Sequence, residues 1–253
     1  MNPTTEFASH RTSGHLLEVR GVSRRFGGFL AVDNVSVRVN RGEILGIAGP
    51  NGAGKSTLFN LISGVPFGPT AGEVIFDGRR IDQMPAHKIA RCGLRRTFQA
   101  EQLFPTLSVS DNVAVACHYL GGRGRSAKTS AESALETVGI MKYRDVPAGE
   151  IPLLAKKKLM IASALVAQPR LLMLDEPAGG LNNEDQADLI LLLRELQKGG
   201  LTLLIIEHVL SLLRELANRM IILSSGELLA EGSPDAVLSD PQVLEAYLGK
   251  AAA

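Results

Sequence analysis

A glycine-rich stretch over residues 49–57 constrains the fold of this chain more than any other part of the sequence. It reads GPNGAGKST, follows the apolar run Ile44–Ala48 and precedes apolar residues in helical order. The spacing is that of the phosphate-binding loop G-x-x-x-x-G-K-[ST], which requires a strand before it and a helix after it. Small residues let backbone N–H groups turn toward an anion, and the new helix adds unpaired N–H groups and its positive dipole end. The stretch therefore predicts a nucleotide site.

The side chains of this loop predict how the nucleotide is held. Lys55 can reach the β- and γ-phosphates, the hydroxyl of Ser56 suits Mg²⁺, and Thr57 suits the α-phosphate. An ordinary glycine turn is the alternative, but the strand and helix on either side favour a nucleotide. The predicted contacts to the nucleotide come from Asn51, Gly52, Ala53, Gly54, Lys55, Ser56 and Thr57.

Composition narrows the functional classes. The chain has 253 residues with 27 basic and 26 acidic side chains, so its net charge gives no sign of a nucleic-acid or anionic-membrane surface. Cys92 and Cys117 are too few for a disulfide framework and lack the spacing of a zinc site, which indicates a reducing compartment. Residues 1–15 are expected to form a polar, flexible tail. No apolar run reaches the roughly 18 residues of a membrane helix, so any membrane role requires a partner chain.

The order of the patterns predicts an α/β fold. Residues 16–39 alternate apolar and polar side chains, which is typical of half-buried antiparallel strands. Residues at about 100–167 carry helical patterns, one of them opening on a capping box at residues 108–111. A continuous apolar run at residues 171–174 then begins an alternation of strands and helices, which implies a parallel sheet. We expect one domain over residues 16–253, with a P-loop (RecA-like) parallel-sheet core, an N-terminal antiparallel β subdomain and an inserted helical subdomain.

Polar side chains stand at the ends of four predicted strands. The carboxyl ends of parallel strands meet at one edge of a sheet, so residues far apart in sequence converge there. Phosphoryl transfer needs mainly charge neutralisation around Mg²⁺ and an oriented water, and groups of these types meet that need. The residues concerned are Lys55 and Ser56, then Gln99, then Asp175 and Glu176, and finally Glu207 and His208.

Three of these residues have a predicted role in hydrolysis. Asp175 suits a Mg²⁺-bound water, Glu176 can polarise the attacking water, and His208 can contact the γ-phosphate. Taken singly, such a carboxylate is usually an acceptor at a helix start, and a lone histidine is usually solvated or satisfied in the core. The phosphate loop reverses that preference.

Two interpretations of Phe26, which lies just before two glycines, remain open: a core position and stacking on an adenine ring.

An ordered set of motifs resembles the ATP-binding cassette (ABC) ATPases of transporters. The resemblance covers about residues 16–249 and implies that Phe26 stacks on adenine, that Gln99 senses Mg²⁺ and the transmembrane partner, and that Asn182 lies in a loop crossing the dimer. It implies catalytic roles for Lys55, Gln99, Glu176 and His208, and metal ligation by Ser56, Gln99 and Asp175. The set comprises Phe26, residues 49–57, Gln99, LLMLDEP at residues 171–177, GLN at residues 180–182 and His208.

Further stretches resemble the larger ATPase subunit of branched-chain amino acid importers. This resemblance implies an ATP-hydrolysing subunit that uses ATP and Mg²⁺ to energise uptake of branched-chain amino acids or similar small solutes. The implied partners are transmembrane permease subunits, a second ABC ATPase subunit and, indirectly, a solute-binding protein, with no nucleic acid. The implied location is cytoplasmic and peripheral, on the inner face of the cell membrane. The stretches are RRTFQ at residues 95–99, QLF at 102–104, IEH at 206–208, AEGSP at 230–234 and DPQVLEAYLG at 240–249.

One motif departs from the family pattern. The family signature, usually Leu-Ser-Gly-Gly-Gln, aligns with IPLLA at residues 151–155. Pro152 has neither a hydroxyl nor an N–H, and Leu154 is bulky where close approach needs glycine. Since the family's signature binds the γ-phosphate held by the opposite subunit, the sequence favours an asymmetric heterodimer over a homodimer.

Two other functions remain open. The broken signature also suits a nucleotide-binding regulatory subunit with little hydrolysis, although Glu176 and His208 argue against it. A soluble cassette protein of repair or translation would usually add a second cassette or long coiled coils, and neither is visible. The basic run at residues 156–158 is either a solvated helix face or a source of charge toward a phosphate.

Overall fold

The computed structural model of the chain describes residues 14–119 and 125–248, so residues 1–13 of the expected tail lie outside it. None of the helices in the described ranges is long and apolar enough to cross a membrane. The strands are β1 (His15–Phe26), β2 (Phe29–Asn40), β3 (Ile44–Ala48), β4 (Ala71–Phe76), β5 (Arg79–Arg80), β6 (Leu94–Arg96), β7 (Leu171–Asp175), β8 (Thr202–Ile206), β9 (Arg219–Ser224) and β10 (Glu227–Gly232). The helices are α1 (Lys55–Ser63), α2 (Ala86–Arg91), α3 (Val109–Tyr119), α4 (Arg125–Thr137), α5 (Leu153–Leu165), α6 (Asn183–Lys198), α7 (Leu210–Leu216), α8 (Pro234–Leu238) and α9 (Pro241–Leu248).

The first sheet is antiparallel, as the alternating pattern predicts. Its strands follow the order β2-β1-β4-β5 in the described part of the chain. On β2, Val35, Val37 and Val39 are buried, whereas Ser36 and Arg38 between them are exposed. Successive side chains of a strand point to opposite faces, so one face of this sheet is apolar. That face shares a hydrophobic core with α1 and β3.

The second sheet is parallel and places the strand ends together. Within the described residues its order is β10-β9-β3-β8-β7-β6, with β10 antiparallel to the rest. Every residue of β3, β7 and β8 is buried, which explains their continuous apolar runs. Ile206 pairs with Ile47 on one side and with Asp175 on the other. The segments that follow β3, β7 and β8 therefore begin at one edge of the sheet.

Three helices form a bundle between β6 and β7. Helices α3, α4 and α5 pack on one another through buried apolar residues such as Val113, Leu135 and Leu159. At the start of α3, Ser108 Oγ accepts a hydrogen bond from the Asp111 N–H at 3.0 Å, which is the serine half of the predicted capping box, and it donates to Asp111 Oδ2 at 2.6 Å. The bundle begins ten residues after Gln99, and α5 leads back to the sheet at β7.

Asp77 joins the two sheets through ion pairs. It forms salt bridges with Arg41, which follows β2, and with Arg170, which precedes β7. Burial opposes the ionisation of Asp77, but the two guanidinium groups outweigh it and hold its pKa below the ordinary value. The carboxylate therefore stabilises the junction in its ionised form.

Candidate functional site

The phosphate loop, residues 49–54, joins β3 to α1 and requires glycine at both of its ends. Gly49 has φ +148° and Gly54 has φ +98°. A Cβ on Gly49 would lie 2.1 Å from the carbonyl oxygen of Leu223, and one on Gly54 would lie 2.6 Å from that of Ala31. Because neighbouring backbone approaches so closely, side chains at these positions would displace the loop.

The other predicted contacts line the loop and the first turn of α1. Lys55 is buried, and its Nζ donates to the carbonyl oxygens of Gly49 at 2.7 Å and Pro50 at 2.9 Å. An ammonium has three donors, so one remains for a phosphate. Burial lowers the pKa of Lys55, and the nearby charges of Glu176 and Asp175 oppose that effect. Asn51, Gly52 and Ser56 are exposed, Gly54 and Thr57 are partly exposed, and Ala53 is buried.

Asp175 ends β7 as a buried carboxylate with one oxygen engaged. Its Oδ2 accepts from Arg96 Nη2 at 2.7 Å, and the two side chains are only 6% and 7% exposed. Among the described residues, Oδ1 has no hydrogen-bond partner. A buried carboxylate oxygen without a donor is suited to a hydrated divalent cation, so Asp175 fits the magnesium ion implied by the sequence.

Glu176 brings three predicted residues together. Its Oε2 accepts from Gln99 Nε2 at 2.7 Å, and its Oε1 lies 2.7 Å from His208 Nε2. The Glu176 backbone has φ +49°, a strained conformation for a residue with a side chain. Its N–H donates to the carbonyl of Ile206 at 2.9 Å, which ties the turn after β7 to the end of β8. The carboxylate is thereby held in one place.

The site also contains two charged residues, Glu207 and Arg96, to which the sequence assigned no individual role. Glu207 is 2% exposed, and its carboxylate accepts from the N–H groups of Ala178 at 2.7 Å and His208 at 3.2 Å. Burial raises the pKa of Glu207, although these N–H groups oppose the shift. Arg96, which pairs with Asp175, is the second. For Glu207 the available signal was a charged residue directly after an apolar strand, where charges are seldom buried without a partner.

Phe26 lies at the end of β1 and is 41% exposed, so the interpretation of a core residue is wrong. Its ring packs against the Phe67 ring in a T-shaped arrangement, at a centroid distance of 5.1 Å and an interplanar angle of 73°. The Arg24 guanidinium lies over both rings, 4.9 Å from the Phe26 centroid and 4.4 Å from that of Phe67. The ring is held by these two contacts, and its exposed part is available to a planar ligand.

The segment aligned with the family signature begins α5. Pro152 is the exposed N-cap of this helix, and Leu153 and Leu154 are half-buried against the larger hydrophobic core. The basic run after it is not a uniformly solvated face, because Lys157 is only 9% exposed. Lys156 Nζ lies 3.7 Å from Glu101 Oε2.

The loop predicted to cross a dimer ends in a capped helix. Asn182 is the N-cap of α6, and its Oδ1 accepts from the Asp185 N–H at 2.8 Å. Cys92 and Cys117 are both free thiols.

Comparison with known proteins decides the family. A family model described as ABC transporter matches residues 32–179, more than half of the chain. The chain belongs to the ABC transporter family. A second model, described as branched-chain amino acid ATP-binding cassette transporter, matches residues 227–253. As an ABC ATPase, the chain couples ATP hydrolysis to transport, which confirms the activity implied by its sequence motifs.

Curated relatives of this ABC ATPase align along almost its whole length. It is 38% identical to the high-affinity branched-chain amino acid transport ATP-binding protein BraF of Pseudomonas aeruginosa, over 93% of this chain and 98% of BraF. It is 36% identical to the corresponding protein LivG of Escherichia coli K12, over the same shares of the two chains.

Solved structures confirm the predicted fold of the ABC ATPase. A nucleotide-free ATP-binding cassette from an ABC transporter is 30% identical, with a TM-score of 0.87, and the match covers 93% of this chain and all of that one. MJ1267, an ATP-binding cassette of an ABC transporter in its ADP conformation, has the same identity and TM-score and covers 94% of this chain. The parallel-sheet core, the antiparallel sheet and the helices therefore belong to a known nucleotide-binding architecture.

Proposed function

We propose that this ABC ATPase is the cytoplasmic ATP-hydrolysing subunit of an importer for branched-chain amino acids or similar small solutes. The observation that carries the proposal is the Glu176 carboxylate, which is held by Gln99 and His208 beside Asp175. A carboxylate held in this way can orient and polarise a water. The names of BraF and LivG support the solute class. So does the match of residues 227–253 to the branched-chain amino acid family.

Each residue near the phosphate loop has a role in this proposal. Phe26 stacks on the adenine, the N–H groups of residues 51–57 bind the phosphates, and Lys55 donates to the β- and γ-phosphates. Ser56, Gln99 and Asp175 would hold Mg²⁺, either directly or through its waters. When bound, this ion neutralises charge on the phosphates. Glu176 accepts a proton from the attacking water, and His208 contacts the γ-phosphate.

The partners in this proposal are transmembrane permease subunits, a second ABC ATPase subunit and, indirectly, a solute-binding protein. Docking to the permeases would place the chain on the inner face of the cell membrane. Two exposed aromatic side chains close to Gln99 in sequence support such a contact, Phe98 at 37% and Phe104 at 52% exposure. Exposed aromatic residues are favoured in protein interfaces.

The proposed pair of ATPase subunits is asymmetric. In a head-to-tail dimer, each ATP lies between the phosphate loop of one subunit and the signature of the other. Pro152 offers neither a hydroxyl nor an N–H, and Leu154 is only half-buried, so its side chain occupies part of the approach surface. A partner with an intact signature would complete the site at Lys55, Glu176 and His208. The partner's own phosphate loop would face the weaker signature.

Reconstitution tests this function. The chain, the second cassette subunit and the permease subunits are placed in liposomes, and ATP turnover and uptake of leucine are measured together. We expect Glu176→Gln to abolish both, and the matching change in the partner to reduce them less. Equal losses from the two changes would contradict the asymmetric pair while leaving the transport function intact.

A nucleotide-binding regulatory subunit with little hydrolysis of its own is the second candidate. The departure at Pro152 and Leu154 favours it, because a weak signature slows closure of the dimer. Intact wild-type protein that binds ATP but shows no turnover, alone or in the full complex, would establish this alternative.

A further inference from the structure

Arg96 links the helix of the phosphate loop to the carboxylate that ends β7. Its Nη2 donates to Asp175 Oδ2 at 2.7 Å, and its Nη1 donates to Asn60 Oδ1 at 2.7 Å and to Ser63 Oγ at 3.3 Å. Asn60 and Ser63 belong to α1, which begins at Lys55. One guanidinium therefore spans the two elements between which phosphates and a metal would lie.

Aromatic rings hold this guanidinium in place. Its central carbon lies 5.3 Å from the centroid of Phe59 and 5.0 Å from that of Phe98. The Arg96 side chain is only 7% exposed. A planar guanidinium with fixed donors and stacked faces has one orientation, which a lysine ammonium on a flexible stem would not reproduce. Phe98 precedes Gln99 directly, so the same contacts connect Arg96 to the residue that holds Glu176.

The bond to Arg96 orients the carboxylate of Asp175. Arg96 engages Oδ2 alone, and within the described ranges Oδ1 accepts no hydrogen bond. The bond to Arg96 fixes the rotamer of the carboxylate and leaves a single oxygen with free lone pairs. Without Arg96, the carboxylate would be buried without the partner that fixes its orientation, and it would be free to rotate.

We infer that Arg96 is a positioning residue, which holds Asp175 so that Oδ1 is presented to the metal bound with the nucleotide. The inference rests on the proposed function, because it takes Asp175 as the metal-side carboxylate. A buried ion pair adds little net stability compared with apolar packing, so stability alone does not account for this one. Mutation of a group that orients a metal ligand typically lowers metal affinity, although the group does not touch the metal itself.

The test measures binding rather than turnover. The affinity of the full chain for AMP-PNP, a non-hydrolysable ATP analogue, is determined by calorimetry in EDTA and in Mg²⁺, and the ratio of the two dissociation constants is the metal-dependent gain. We expect Arg96→Met to reduce this gain about tenfold or more. Affinity in EDTA should stay unchanged, because the phosphate loop supplies it. An unchanged gain in Arg96→Met would overturn the inference.

Two more variants separate positioning from folding. Arg95→Met removes a half-buried cation from the adjacent position of β6, and it should leave the gain as in the wild type. Arg96→Lys keeps the charge but not the fork, so its gain should fall between the other two. If Arg96→Met does not fold, Arg96→Lys decides the matter, and a wild-type gain there would overturn the inference. Wild-type chain that binds no AMP-PNP in either condition would instead overturn the proposed function.

Discussion

His208 Nε2 lies 2.7 Å from Glu176 Oε1, although the two residues follow different strands. The contact exists because β7 and β8 are neighbours, with Asp175 paired to Ile206. Glu176 and His208 then leave the sheet side by side. The second oxygen of Glu176 is taken by Gln99. The carboxylate is thus oriented from both sides before any substrate is bound.

Removal of the His208 side chain should impair hydrolysis more than binding. His208→Ala deletes one of the two groups that orient Glu176 and the proposed contact to the γ-phosphate. We expect ATP turnover of the reconstituted complex to fall about 100-fold or more, since positioned acid–base groups contribute factors of that size. ADP affinity should stay near that of the wild type, because the phosphate loop is unchanged.

Exposed His87 on α2 supplies the matched control. His87→Ala should leave turnover and ADP affinity unchanged. If His208→Ala weakens ADP binding as strongly as it slows turnover, the residue acts in ground-state binding instead.

Loss of the Phe26 ring should weaken nucleotide binding. Base–aromatic stacking contributes about 1–3 kcal/mol, so Phe26→Ala should raise the dissociation constant for ATP by roughly 5- to 150-fold. Phe26→Tyr, which keeps the ring face, should bind nearly as well as the wild type. Fluorescence titration with a labelled ATP measures both.

Phe29 provides the comparison for Phe26, because it is its cross-strand partner and is 65% exposed. Phe29→Ala should bind ATP like the wild type. A larger loss of ATP affinity in Phe29→Ala than in Phe26→Ala would contradict stacking on Phe26 and assign that role to Phe29.

Truncation of Glu207 should destabilise the site and the fold together. Glu207→Ala leaves the buried N–H of Ala178 without its acceptor, and an unsatisfied buried donor costs about 1–3 kcal/mol. The free energy of unfolding, measured with urea, should fall by that amount. Turnover should fall as well, since His208 loses the acceptor of its own N–H.

The exposed Glu227 serves as the control for this change, and Glu227→Ala should unfold at the wild-type urea concentration. Unchanged stability in Glu207→Ala would show that water replaces the carboxylate.

Stability should depend on the protonation of Asp77. Its folded-state pKa lies below the ordinary value, so its contribution is fully present above the unfolded pKa and is lost as the pH falls through the folded pKa. Asp77→Asn should lower the free energy of unfolding at neutral pH by about 1–2 kcal/mol, after allowance for solvent screening. The difference from the wild type should vanish in acid. Urea unfolding across the acid range measures it.

Asp145, whose side chain is 79% exposed in a pair with Arg144, is the matched control. Asp145→Asn should change stability little at any pH. A constant deficit of Asp77→Asn across the acid range would contradict the role of the ionised form.

Local patterns in the sequence were enough to predict the phosphate loop and the two sheets of this protein. Residues 49–57 predicted the phosphate loop because glycines and a lysine at that spacing, between an apolar strand and a helix, have few other uses. The alternation in β1 and β2 and the continuous apolar runs of β7 and β8 predicted their sheets, since side-chain burial repeats with the period of the backbone. The sequence also predicted that the residues following β7 and β8 converge, and Glu176 and His208 are in contact there.

Only the tertiary structure decided which of these side chains touch. Gln99 lies 77 residues from Glu176 in sequence, and Arg96 lies 79 residues from Asp175, yet both pairs are in hydrogen-bond contact. These contacts depend on the strand order β8-β7-β6, which the pattern within any single strand does not contain. The burial of Glu207 and Lys157 could not be predicted from the sequence for the same reason. The groups that bury a charged side chain come from other elements, so its partners are fixed by packing and not by local composition.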